Sequence, residues 1–193
     1  RAEGILFKLR GGQTSRDFVH IREVLDEYIE ESGFGPDIEG GNLSVALTGF
    51  HNLDTLLGGM HRSDLIVLAA RPSLGKSSLA LNIARTAAIE QGARVAVFSL
   101  EMGKHQVVQR LLSSESGVDT RKFRLGEFTP DEEAHVIEAT GKLAQAPIFI
   151  DDSPFLTIVE LRSKAKRLHL ENKVDLIIVD YMGLMLQRGD NNV

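Results

Sequence analysis

The chain has 193 residues, 42% of them apolar and 25% charged, enough for one domain of ordinary size with something left over. With 27 acidic against 22 basic side chains the net charge is -5, which argues against both a basic nucleic-acid glove and an acidic disordered tail. There is no cysteine, so a disulfide framework, a zinc ribbon and thiol catalysis are excluded and a reducing, cytoplasmic setting is favoured.

Residues 1–14 read as the tail of a preceding region. The opening Arg-Ala-Glu-Gly has no initiator methionine and no long apolar segment behind it, which predicts no signal peptide and a chain excised from something longer. Thr14 and Asp17 stand in capping-box spacing before Phe18, Ile21, Leu25 and Tyr28, which recur at three- and four-residue intervals and predict a helix over 15–31. Glycines at 33, 35, 40 and 41 with Pro36 then make residues 32–47 a flexible linker, so helix and main domain are expected to be separate bodies.

From Thr48 on, short apolar runs alternate with helical patterns. The expected order is strand 65–70, helix 76–90, strand 94–99, helix 104–114, helices 120–125 and 130–143, strand 148–151, helix 158–170 and strand 176–180. Thr129-Pro-Asp-Glu132 and Thr157-Ile-Val-Glu160 are capping boxes that fix two helix starts. Strands rich in β-branched residues and apolar on both faces predict a buried parallel sheet flanked by helices, an α/β domain over 48–193. The longest wholly apolar run, Leu65–Ala70, is about a third of the roughly 20 residues needed to cross a bilayer, so no membrane helix is expected. The six histidines include no pair at metal-ligand spacing, and a zinc site is not expected.

Directly after the first expected strand stands Ala70-Arg-Pro-Ser-Leu-Gly-Lys-Ser-Ser78, the phosphate-loop pattern with alanine for its first glycine. Such a loop wraps a phosphate in successive backbone N–H groups, here Ser73 to Ser77, at the positive end of a helix. The candidate nucleotide-binding set is therefore Arg71, Ser73, Leu74, Gly75, Lys76, Ser77 and Ser78. Lys76 would bridge β- and γ-phosphate oxygens of ATP, and Ser77 would offer its hydroxyl to Mg2+. Alanine at 70 is acceptable if its φ is negative.

Two carboxylates stand at strand ends, where an open sheet binds its ligand. Glu101, in Leu-Glu-Met after strand 94–99, is placed to polarise an attacking water. Asp180, closing the last strand, is placed to hold magnesium. Asp151 and Asp152 read as turn formers and helix caps instead. Arg162, Lys164, Lys166 and Arg167 form a basic face that reads as a solvated outer surface.

The segments Thr48-Gly-Phe-His-Asn-Leu-Asp-Thr-Leu-Leu-Gly-Gly59, ARPSLGKSS, FSLEM at 98–102, IDD and VDYM resemble the RecA-like ATPase domain of bacterial replicative DNA helicases, the DnaB family. The stretch from Phe18 to Leu25 resembles that family's linker helix. The likeness implies a RecA-like P-loop core, ATP and Mg2+ as cofactors, and a homo-hexameric ring that translocates on single-stranded DNA, with primase and a helicase loader as partners and no membrane. It also assigns Lys76 and Ser77 to phosphate and magnesium, Glu101 to catalysis and Asp180 to the Walker-B position. Val193 comes 13 residues after Asp180, so the family's DNA-binding loops and arginine finger are expected to lie beyond it. A recombination or repair ATPase and a non-catalytic nucleotide-binding assembly module remain as alternatives.

Overall fold

A computed structural model of the chain describes residues 20–25 and 46–185, and the chain divides into two units, Arg1–Leu43 and Ser44–Val193. In the first unit residues 21–25 are helical, inside the span expected for the linker helix. The tail, the Thr14–Asp17 cap, the remainder of that helix and the linker through residue 45 lie outside the described residues.

The described part of the second unit opens with α1 (His51–Leu57), which the sequence pattern did not disclose, and continues with α2 (Lys76–Gln91), β1 (Val95–Ser99) and α3 (Lys104–Ser116). Then come α4 (Thr120–Leu125), α5 (Pro130–Gln145), β2 (Ile148–Asp151), α6 (Ile158–Asn172), β3 (Leu176–Asp180) and a single 3-10 turn, Met182–Leu184. Both capping boxes form, Thr129 with Glu132 and Thr157 with Glu160. Each satisfies two helix-end donors and stops the helix from starting elsewhere.

The sheet is parallel in the order β2-β1-β3, with Val95 opposite Ile148 on one side and Leu176 on the other. Alternation along β1 sends its side chains to two cores. Val95 and Val97 pack with Leu81, Ala84, Ala87 and Ala88 of α2 and Val107 and Leu111 of α3. Ala96 and Phe98 pack on the opposite face with Leu156, Ala165 and Val174. The alanines of α2 let its axis approach the sheet closely, and each fully buried valine or phenylalanine of β1 contributes about 1.5–3 kcal/mol.

Two expectations about the sheet need correction. Only β1 is buried along its whole length; β2 and β3 are edges among the described residues, and Ile177 is 45% exposed. Residues 65–70 form no strand at all: Leu65 is 86% and Val67 77% exposed. Apolar, β-branched composition describes a segment able to join a sheet, but a strand also needs a hydrogen-bonding neighbour, and no described strand pairs with this one.

The start of the domain is fastened by polar contacts. Ala46 bridges Met60 in antiparallel fashion, and the Gln91 side-chain amide both accepts from the Leu47 N–H (2.8 Å) and donates to its carbonyl (3.1 Å). Asp54 accepts from the Thr48 N–H and hydroxyl, each at 2.7 Å, and from the Gly49 N–H at 3.1 Å. Burial alone would raise the Asp54 carboxyl, but these hydrogen bonds outweigh it and hold its pKa below the ordinary value. Gly49 has φ +83°, and a β-carbon there would lie 2.5 Å from Cγ2 of Thr86, so only glycine lets this turn meet α2.

Candidate nucleotide-binding site

Between the end of the extended 65–70 segment and the start of α2, residues 71–75 turn sharply. Ser73 and Gly75 take left-handed φ values of 65° and 85°, and the Leu74 N–H donates to the Arg71 carbonyl at 3.3 Å. Ala70 is not among the residues with positive φ, so the missing glycine costs nothing there. Gly75 caps α2 without any side-chain hydrogen bond, which leaves the amides of the first helical turn for a ligand.

These residues line a cleft of about 1120 Å³. Arg71, Ser73, Gly75, Lys76, Ser77, Ser78 and Glu101 all face it. Leu74 does not; its side chain is 70% exposed, and it takes part only through the backbone turn.

Sheet register brings the ends of the two carboxylate-bearing strands together. Ser99 pairs with Asp180 across β1 and β3, and the next residue, Leu100, donates its N–H to the Asp180 carbonyl at 2.8 Å. The Ser99 hydroxyl then donates to the Met102 carbonyl at 2.7 Å, closing the turn that carries Glu101 out to the cleft. Lys76 Nζ stands 2.7 Å from Asp180 Oδ1 and 4.2 Å from the centroid of the Tyr181 ring.

The second carboxylate oxygen, Asp180 Oδ2, is buried and has no hydrogen-bond partner. A buried, unpartnered anionic oxygen is costly, and it fits a hard cation that takes oxygen ligands. The Ser77 hydroxyl lines the cleft and Asp180 is tied to it through Lys76, so the candidate donors are all oxygen and of the kind magnesium takes. No cluster of three or more His, Asp or Glu side chains forms a protein-only metal cage among the described residues.

The far wall of the cleft, absent from the sequence reading, consists of Gln106, Gln109 and Arg110 of α3 with Asp119, Thr120, Arg121 and Arg124 at α4. Arg110 donates to the Ser78 hydroxyl at 3.0 Å and so ties α3 to the phosphate loop. The one signal for it in the sequence is the spacing of Gln106, Gln109 and Arg110, which share one helical face.

Asp151 and Asp152 stay out of the cleft. Asp152 accepts from the Lys104 N–H at 2.9 Å and caps α3 from a distant part of the chain. Asp151 accepts from Lys164 Nζ (2.6 Å) and the Ser153 N–H (2.9 Å). Burial would raise the Asp151 carboxyl; the bonds from Lys164 and Ser153 overcome this and lower it. Lys164 therefore does not belong to the solvated basic face expected for α6, because the ammonium folds inward to compensate Asp151. Arg162, Lys166 and Arg167 are exposed, as expected. A smaller cavity of about 450 Å³ lies between β2 and α6.

Residues 46–193 match the family described as DnaB-like helicase C terminal domain. A replicative DNA helicase DnaB from Nostoc sp. is 40% identical over 100% of this chain and 22% of its own length. Its counterpart from Leifsonia xyli is 38% identical over 95% of this chain and 40% of that protein. Among solved structures, the ATPase domain of G40P superposes with a TM-score of 0.79 at 26% identity, over 92% of this chain and 62% of that one. A DnaB-like replicative helicase, described with its interactions with primase, gives 0.74 at 26% identity over 100% of this chain and 46% of that one. The helices and three-stranded parallel sheet thus form an α/β core of RecA-like type, and the chain spans less than half the length of the curated relatives named.

Proposed function

Because this chain belongs to the DnaB-like helicase C-terminal domain family, we propose that it carries the nucleotide-binding part of an ATP-driven replicative DNA helicase motor. The observation that carries this reading is the cleft where the phosphate-loop lysine meets a strand-end aspartate with an unpartnered oxygen. Lys76 exchanges Asp180 for the β- and γ-phosphate oxygens of ATP. The loop amides from Ser73 to Ser77 hold the phosphates, while Arg71 and Ser78 line the approach. Ser77 and Asp180 would hold Mg2+, which would supply neutralisation of phosphate charge. Glu101 orients and polarises the attacking water from the neighbouring strand end.

In the whole protein this hydrolysis drives translocation on single-stranded DNA and strand separation. The working form is a homo-hexamer in the cytoplasm, with primase and a loader as further partners. Support for that wider picture is family membership and the neighbour described with primase. Family membership favours this reading over a recombination ATPase. Among the described residues no helix is long and apolar enough to cross a membrane.

The test is calorimetric titration of ADP and ATP with magnesium into the chain and its Lys76→Ala variant. Binding is expected in the first and largely lost in the second; equal affinity in both would remove the site.

A further inference from the structure

Tyr181 has no part in the site as read from the sequence, yet its ring lines the cleft and lies under the Lys76 ammonium at 4.2 Å from centroid to Nζ. A lysine over an aromatic face within about 6 Å is held by the ring quadrupole, and more strongly when partly withdrawn from water. Lys76 has only 24% of its side chain exposed. Residues 182–184 in turn place the ring. The chain turns back through Met182–Leu184, the Leu184 N–H donating to the Tyr181 carbonyl at 3.2 Å. Gly183 then lies flat against the ring: a β-carbon there would stand 2.7 Å from Tyr181 Cε2 and 3.1 Å from Cδ2. Any side chain at 183 would push the ring off its seat.

We propose that Tyr181 is a positioning residue for Lys76 and that Gly183 is the shelf that sets it. The proposal rests on the assignment of this cleft to a nucleotide. Lys76 has two partners of different character. Asp180 is charged and competes with phosphate for the ammonium; the ring is neutral and does not. A lysine held by the ring keeps its extended reach toward the loop when it gives up Asp180, so less conformational freedom is lost as the phosphates arrive.

The experiment uses the chain labelled at lysine ε-carbons, with Lys76 assigned by its loss in Lys76→Ala. Without nucleotide, ring current should shift the Lys76 ε-protons upfield. That shift should persist in Tyr181→Phe and vanish in Tyr181→Leu and in Gly183→Ala. ADP titration should then show about two- to fivefold weaker binding in the latter two variants and none of this loss in Tyr181→Phe, the effect expected of one cation–π contact. An unchanged Lys76 shift in Tyr181→Leu overturns the proposal, as does loss of the shift with undiminished ADP affinity. Should Tyr181→Leu fail to fold, Gly183→Ala carries the same two readouts, because there the ring is displaced and not removed. Failure of the wild-type chain to bind ADP while the shift pattern holds would instead count against the nucleotide site.

Discussion

Lys76 and Asp180, to which the sequence assigns separate duties toward phosphate and magnesium, are paired with each other at 2.7 Å in the structure. On the proposed function the pairing would couple two binding events, because a phosphate that takes the lysine also relieves the carboxylate of its competing cation.

Asp180→Asn should therefore separate the two. ADP affinity measured in the presence of a chelator should not fall, because a competitor for Lys76 has been neutralised. The gain in affinity on adding magnesium should disappear. Titrations with and without magnesium check both, and a normal magnesium response would remove Asp180 from the cation site.

Glu101→Gln in the complete protein should retain nucleotide binding and lose turnover by roughly 100- to 10,000-fold, the range for removing a general base. Steady-state hydrolysis alongside nucleotide titration is the measurement. Weakened binding would mark Glu101 as a structural residue of the turn closed by Ser99 and Met102.

Asp54→Asn should destabilise the domain by about 1–2 kcal/mol at neutral pH, since a carboxylate accepting three hydrogen bonds is replaced by a neutral amide. The pH dependence has a definite sign. The folded-state pKa of Asp54 is lowered, so its contribution is fully present above the ordinary carboxyl value of about 3.9 and is lost as pH falls through the folded value. Denaturant unfolding from pH 6 down to pH 2 should show the gap between wild type and variant closing at the acid end.

Replacing Ile21 and Leu25 by aspartate should weaken self-association while the nucleotide-binding domain stays folded. By their spacing these residues share the apolar face of the expected linker helix, and a helix of this length is marginal alone. Sedimentation at matched concentrations, with melting curves, distinguishes this from packing on the same chain, where the melting temperature would collapse instead.

Elements with chemical punctuation were legible in the sequence. Helix 120–125 and strands 148–151 and 176–180 end where expected, and Thr129 and Thr157 mark their helices because a cap is a local bond. Helix α1 was not legible because its seven residues span barely two turns, too short for the spacing of Leu53, Leu56 and Leu57 to be told from a loop, and none of them is buried. Contacts between distant residues were hidden for a different reason. Arg110 on Ser78 and Asp152 on the start of α3 join residues 32 and 48 positions apart, and Lys164 reaches Asp151 across the turn between consecutive elements; nothing in their neighbours announces the partner. Tyr181 was missed because its role is carried by the face of a ring, which no charge pattern records.

The stretch from Leu65 to Leu68 bears on how this chain behaves in a test tube. It is extended, apolar and uncovered, with Leu65, Ile66 and Val67 all more than half exposed and no described strand bonded to its backbone. Such a segment is a template for cross-chain pairing, and an acidic net charge of -5 offers only general repulsion against it. The expected consequence in solution is association that grows with concentration, read as turbidity, and that a charge placed at Val67 reduces.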